Sequence, residues 1–193
     1  MNWNNLQDAR VAVITELASR APNGFLGRTA LMKLCYFLQE VKNVPLGYHF
    51  TLYSYGPFDS DVLSSLGTAE TLKAISSETV YYAGGYGYQI KKGERGEAIV
   101  AAAGAFLQEN RDSVNWVLEE FGSHSPSDLE LESTIMFVDR EISSKAESVT
   151  LIDLAKHVLD VKPRFQERYI LEKTELLDSK GLLKKAKPAT FSN

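Results

Sequence analysis

Few side chains in this 193-residue chain stand at spacings that could do chemistry. The histidines, His49, His124 and His157, lie far from one another and from the single cysteine, Cys35, so no zinc-type ligand spacing arises. Cys35 falls on an apolar helical stripe with Leu31, Leu34 and Leu38 and reads as a small core residue, since a reactive thiol needs exposure and a cationic neighbour. Asp59 and Asp61 form a carboxylate pair beside a turn. They could hold a cation, but acids in a first helical turn face the positive end of the helix dipole, and capping is the simpler reading. Gly84-Gly85-Tyr86-Gly87 lacks the Lys-Ser/Thr of a P-loop and does not open onto a helix. Glu119-Glu120, Glu130 and Glu132 read as solvated helix faces. The expectation is a non-enzyme with no catalytic residue, metal site or cofactor. A metal-dependent hydrolase built on Asp59/Asp61 or His49 is the least favoured alternative.

Charge and aromatic placement say more. From Lys156 to Lys187 there are nine Lys/Arg against five Asp/Glu, a net +4. With −4 for the whole chain, the remainder carries −8. Lys162, Arg164, Gln166 and Arg168, with Lys173 beyond, cluster at the start of a helix. In a helix-turn-helix that end of the second helix meets phosphates and base edges, and long basic and amide side chains suit the task. These five residues are the candidate DNA contacts. Tyr53, Tyr55, Phe58, Tyr82, Tyr86 and Tyr88 are the candidate partner contacts, because tyrosines are common in interface hot spots; the same rings could equally stack single-stranded nucleic acid or simply cover a thin core.

The elements that must position these groups follow from periodicity. Leu6, Ala9, Val13, Ile14 and Leu17 stand at helical spacing over 6–19. Thr29 can cap a second helix carrying Leu31, Leu34, Cys35, Leu38 and Val41. Residues 48–55 alternate as a strand, Gly56-Pro57 reads as a turn, and Asp59 caps a third helix ending near Lys73. Residues 79–83 and 86–90 read as a hairpin closed by Gly84-Gly85. Further helices follow, one opened by Ser125-Pro126, one capped by Thr150 with Asp153 three residues on, and a last one over about 164–180 ending at Gly181. The fold expectation is mainly α with a small antiparallel β component. A winged-helix-like N-terminal half (1–110) precedes a helical half (111–193) whose last two helices form a candidate second helix-turn-helix.

Composition sets the bounds. Hydrophobic residues are 44% and charged residues 24%, as in an ordinary globular protein. No apolar run approaches the ~20 residues of a membrane span, and Met1-Asn2-Trp3-Asn4-Asn5 lacks the basic and apolar regions of a signal peptide. A lone cysteine excludes an internal disulfide framework and suits a reducing cytosol. The reading is a cytoplasmic protein without a membrane partner.

Leu31-Met32-Lys33-Leu34-Cys35-Tyr36-Phe37-Leu38-Gln39, followed by Tyr53-Ser54-Tyr55-Gly56-Pro57-Phe58 and then Tyr86-Gly87-Tyr88 with Lys92-Gly93, resembles the YwgA-like proteins and the related Panacea (SocA-like antitoxin) domain over roughly residues 28–96. Lys73-Ala74-Ile75 departs from the family's usual Gly-Leu-Ile, and Asp59 and Asp61 make the third helix's opening acidic. The resemblance implies a winged-helix-like fold without enzymatic residues and a role in toxin neutralisation or regulation. The leading functional expectation is a non-enzymatic interaction protein, antitoxin-like or regulatory, whose partner is a protein such as a toxin. DNA as a further ligand and a homodimer stay open. A sequence-specific DNA-binding transcription factor is the main alternative.

Overall fold

The computed structural model describes residues 6–144 and 149–184. The architecture is mainly α with a small antiparallel β component, as expected. The chain divides into two compact units. One holds the described residues up to Thr51 together with Phe58–Leu129; the other holds Leu52–Pro57 and the described residues from Glu130 onward. Besides the short excursion at 52–57, the division falls at 129/130, inside a helix.

In the first unit, α1 (Leu6–Ser19) is buried on nearly every face: Val11, Ala12 and Ala18 join Ala9, Val13, Ile14 and Leu17. It lies against α2 (Arg28–Glu40), α3 (Ser60–Thr71), α4 (Gly96–Ala102) and α5 (Gly104–Glu109). A central helix needs small and branched apolar residues all round, which the one-face reading understated. In α2 the stripe of Leu31, Leu34, Cys35 and Leu38 is buried, as are Met32, Tyr36 and Phe37. The cap of α2 is Gly27, with no side-chain bond, and Thr29 lies inside the helix. α6 (Arg111–Phe121) presents Val114, Val117, Leu118 and Phe121 to the core. The Phe121 ring stacks on Phe37 at 4.0 Å between centroids.

Two short ladders interrupt the helices. β1 (Thr51–Tyr53) pairs with β2 (Gly56–Phe58). Gly56-Pro57 thus forms a strand, and the turn is Ser54-Tyr55. β3 (Ile75–Tyr82) pairs antiparallel with β4 (Gly85–Lys92) over eight residues, from Ile75↔Lys92 to Tyr82↔Gly85. The closing residues are therefore Ala83-Gly84, one position before the expected Gly84-Gly85. Gly85 opens β4 at φ +142°, and that positive φ sets the joint. The order of α1, α2, α3 and then the β3–β4 ribbon is the order expected of a winged-helix-like half.

The chain passes into the second unit along α7 (Pro126–Ser144), which begins where Ser125-Pro126 placed it. Ser125 Oγ accepts from Asp128 N at 3.1 Å. α8 (Leu151–Val161) and α9 (Glu167–Ser179) pack together through Leu154, Ala155 and Val158 and through Ile170, Thr174 and Leu177. Gly181, at φ +68°, ends α9. Leu182 N bonds back to Leu177 O at 3.0 Å and Gly181 N to Asp178 O at 2.8 Å, closing the last turn.

Thr150 caps α8, its hydroxyl accepting from Asp153 N at 3.1 Å and donating to Asp153 Oδ2 at 2.8 Å. That hydroxyl is the main reason the Asp153 carboxyl titrates below its usual range. Thr150→Ala is expected to cost about 1 kcal/mol. The check is faster amide exchange confined to the first turn of α8; unchanged exchange there would show that the cap contributes nothing.

Candidate functional site

Of the basic corner expected to meet DNA, Lys162 is turned inward and Lys173 is half-buried. Lys162 is 3% exposed. Its ammonium donates to the carbonyls of Ser54 and Tyr53, the latter at 3.4 Å. It also lies 3.0 Å from Glu130 Oε1, off the hydrogen-bonding line. Arg164 grips the other oxygen of the same carboxylate through Nη2. Lys173 Nζ lies 2.8 Å from Glu132 Oε1. The helix proper starts at Glu167, so Lys162 and Arg164 sit in the turn before it and Gln166 is its N-cap, with no side-chain cap bond. Of the five expected contacts, Arg164, Gln166 and Arg168 reach solvent. Arg168 is paired with Glu172 at 2.8 Å. An open groove of about 530 Å³ runs past these three, lined also by Phe165, Tyr169 and Glu172.

Glu130 and Glu132, expected on solvated faces, are 2% and 1% exposed. The correction has a simple cause. From Leu129 to Met136, α7 is buried throughout. A carboxylate held in such a helix must be neutralised, and Lys162, Arg164 and Lys173 do so. The surplus of 156–187 is balanced within its own unit, of which Glu130 and Glu132 supply two charges: residues 130–193 carry eleven Lys/Arg and eleven Asp/Glu.

The same cluster fixes the turn of the β1–β2 hairpin within the second unit. Gly56 has φ +85°, and a Cβ there would stand 2.9 Å from Thr134 Oγ1 and 3.2 Å from Glu130 O. Only glycine meets both conditions. Tyr53 and Tyr55 flank this turn and are 67% and 65% exposed.

The tyrosine ribbon lies in the first unit. Strand alternation places Thr79, Tyr81, Tyr86 and Tyr88 on one face with Ile75 and Ile90. The two isoleucines are buried at the base, whereas Tyr81 is 82% and Tyr86 59% exposed at the tip. Tyr81 and Tyr86 rings lie 6.4 Å apart, and Tyr86 meets Tyr88 edge-on at 5.9 Å. The Arg28 guanidinium sits 3.4 Å over the Tyr88 ring and half-covers it. Tyr82 occupies the opposite face, its ring over Gly87 and its hydroxyl donating to Tyr86 O at 3.0 Å. Of the six expected partner contacts, Tyr82, Tyr86 and Tyr88 share this ribbon. Phe58 ends β2, half-buried, and Tyr53 and Tyr55 belong to the other unit. Tyr81 was missed; it lies across from Tyr86, and the expected joint at Gly84-Gly85, which would set it across from Tyr88, already places it among the ribbon's tyrosines.

The groups considered for chemistry are engaged elsewhere. Asp59 caps α3, accepting from Asp61 N at 2.8 Å and from His49 N. Asp61 pairs with Arg10 at 3.1 Å. Arg10 itself is buried, donating to Leu46 O and Gly47 O and lying 4.3 Å over the Tyr48 ring. Burial pushes the Cys35 thiol up to about 12, so it stays protonated and inert at neutral pH. Burial likewise raises the Tyr48 phenol. Among the described residues, no three His, Cys, Asp or Glu side chains come together as a metal site, and no helix is long and apolar enough to cross a membrane.

Compared with protein-family models and with curated proteins, the chain matches none.

Proposed function

We propose that this chain is a non-enzymatic interaction protein of the cytoplasm, antitoxin-like or regulatory, that holds a partner protein against the tyrosine face of its β3–β4 ribbon. One observation carries the reading. The sheet face that is core at Ile75 and Ile90 runs on outward as Tyr81 and Tyr86, both left mostly exposed. Tyrosine offers wide contact area and a polar tip at a small cost in side-chain entropy, the profile of an interface hot spot. The pairing of Asp59 and Asp61 and the burial of Cys35 support a role without catalysis. The resemblance of residues 28–96 to YwgA-like and Panacea chains points toward a toxin or a regulator as partner.

The test is capture from the native host's extract by the full chain and by a Tyr81→Ser/Tyr86→Ser variant. The variant is expected to keep its melting temperature, because both side chains are exposed, and to lose the captured protein. Equal capture by the two forms would refute the reading. The exposed Arg164, Gln166 and Arg168 favour duplex DNA as a second ligand. Its mark would be retention that falls steeply with salt and is abolished by Arg164→Glu/Arg168→Glu.

A further inference from the structure

The ribbon offers a partner more than its tyrosines. In an antiparallel pair, residues alternate between bonding across the ladder and pointing N–H and C=O outward. The parity here is fixed by Ile90, whose outward groups are taken by Leu26, N to O at 2.8 and 2.9 Å in the two directions. Ile90 faces Ser77, so Ser77, and with it Thr79 and Tyr81, turn their backbone groups away from β4. The β4 edge is thus closed at its base by Leu26. The β3 edge has no backbone partner from 76 to 82 among the described residues.

Natural edges are blunted with lysines, prolines, bulges or inward charges. β3, Ile-Ser-Ser-Glu-Thr-Val-Tyr-Tyr, has no lysine or proline. It pairs with β4 without a bulge. Its one charge, Glu78, is matched by Lys91 on the neighbouring strand at 2.8 Å. What complements such an open row is another extended backbone. A third strand there would set alternate side chains on the face of Tyr81 and Tyr86.

We propose that the partner's contact is an extended polypeptide segment that adds to β3 as a third strand. This rests on the interaction reading above and specifies its mode. The segment is basic and belongs to another protein. Residues 1–51 and 58–129 carry ten Lys/Arg against fourteen Asp/Glu, so at long range a second copy is repelled and a basic chain is drawn in; at the ribbon itself Lys91 and Lys92 are already paired, with Glu78 and Glu97.

The probe is a displayed library of random peptides selected on the full chain. Enriched peptides are expected to be net positive with alternating apolar or aromatic positions. On binding they should slow amide exchange at Thr79 and Tyr81. Thr79→Pro removes one outward N–H and leaves the ladder bonds in place, so affinity should fall about tenfold, the upper range for one hydrogen bond. Thr79→Val keeps the N–H and should bind as the parent does. If Thr79→Pro disturbs the ribbon, the exchange measurement on the parent chain decides alone. Strand addition is overturned if no peptide is enriched or if binding leaves Thr79 and Tyr81 exchange unchanged. It is also overturned by a dimer formed through β3 without peptide. Loss with Tyr81→Ser/Tyr86→Ser but not with Thr79→Pro would sink strand addition and leave the tyrosine reading standing. Indifference to both variants would sink the two together.

Discussion

Lys162→Met is expected to destabilise the second unit by about 3–5 kcal/mol, the cost of stranding one member of a buried ion pair. Lys162 and Glu130 are both almost fully buried, so water cannot take over from the missing ammonium. The carbonyls of Tyr53 and Ser54 lose their donor at the same time. Arg164 stays on Glu130, but its side chain is 55% exposed and therefore screened. Adding Glu130→Leu to Lys162→Met should recover much of the loss, because an apolar pair of similar volume removes the desolvation penalty altogether. Amide exchange of the α8 and α9 backbone under native conditions reads both variants in this unit alone. If the single variant exchanges like the parent, or the double variant is no better than the single, the cluster is not what holds Leu52–Pro57 in this unit.

Phe121→Ala is expected to cost the first unit a similar amount, about 3–5 kcal/mol for a large ring removed from a packed core. Phe121 has no exposed surface. Besides stacking on Phe37, it meets Trp116 edge-on at 5.7 Å and His124 at 5.7 Å. A cavity at that point loosens α6 from α2. Trp116 is the natural reporter: its emission should shift as its edge partner disappears, and the urea midpoint of that signal should fall. An unchanged midpoint would show that the neighbouring side chains collapse into the space at little cost.

The elements legible in the amino-acid order are those whose cause is local. Asp59, Ser125 and Thr150 bond to backbone two or three residues away, and each marks its helix start correctly. Gly181 ends α9 for an equally local reason. The β3–β4 hairpin was legible in its two β-rich arms but misplaced by one residue at its joint. Two adjacent glycines suggested that both needed positive φ, yet only Gly85 takes it. Gly56-Pro57 looked like a turn because glycine and proline usually punctuate. Its glycine is required instead by a left-handed φ within a strand and by the close approach of Thr134.

For the candidate sites the split is sharper. The order of residues alone determined a mainly α chain with one β-ribbon, a run of tyrosines along that ribbon and a surplus of cations near the C-terminal end. Folding decided which of those charges and rings are available. Lys162 finds Ser54 across 108 residues of chain, and Glu130 and Glu132 become interior because α7 is buried from every side. A charge's fate depends on which distant partner folding brings to it, and no periodicity encodes that. A tyrosine at a ribbon tip needs no distant partner to stay exposed, so position in the strand was enough for Tyr82 and Tyr86, whereas Tyr88, nearer the base, is half-covered by Arg28 from α2.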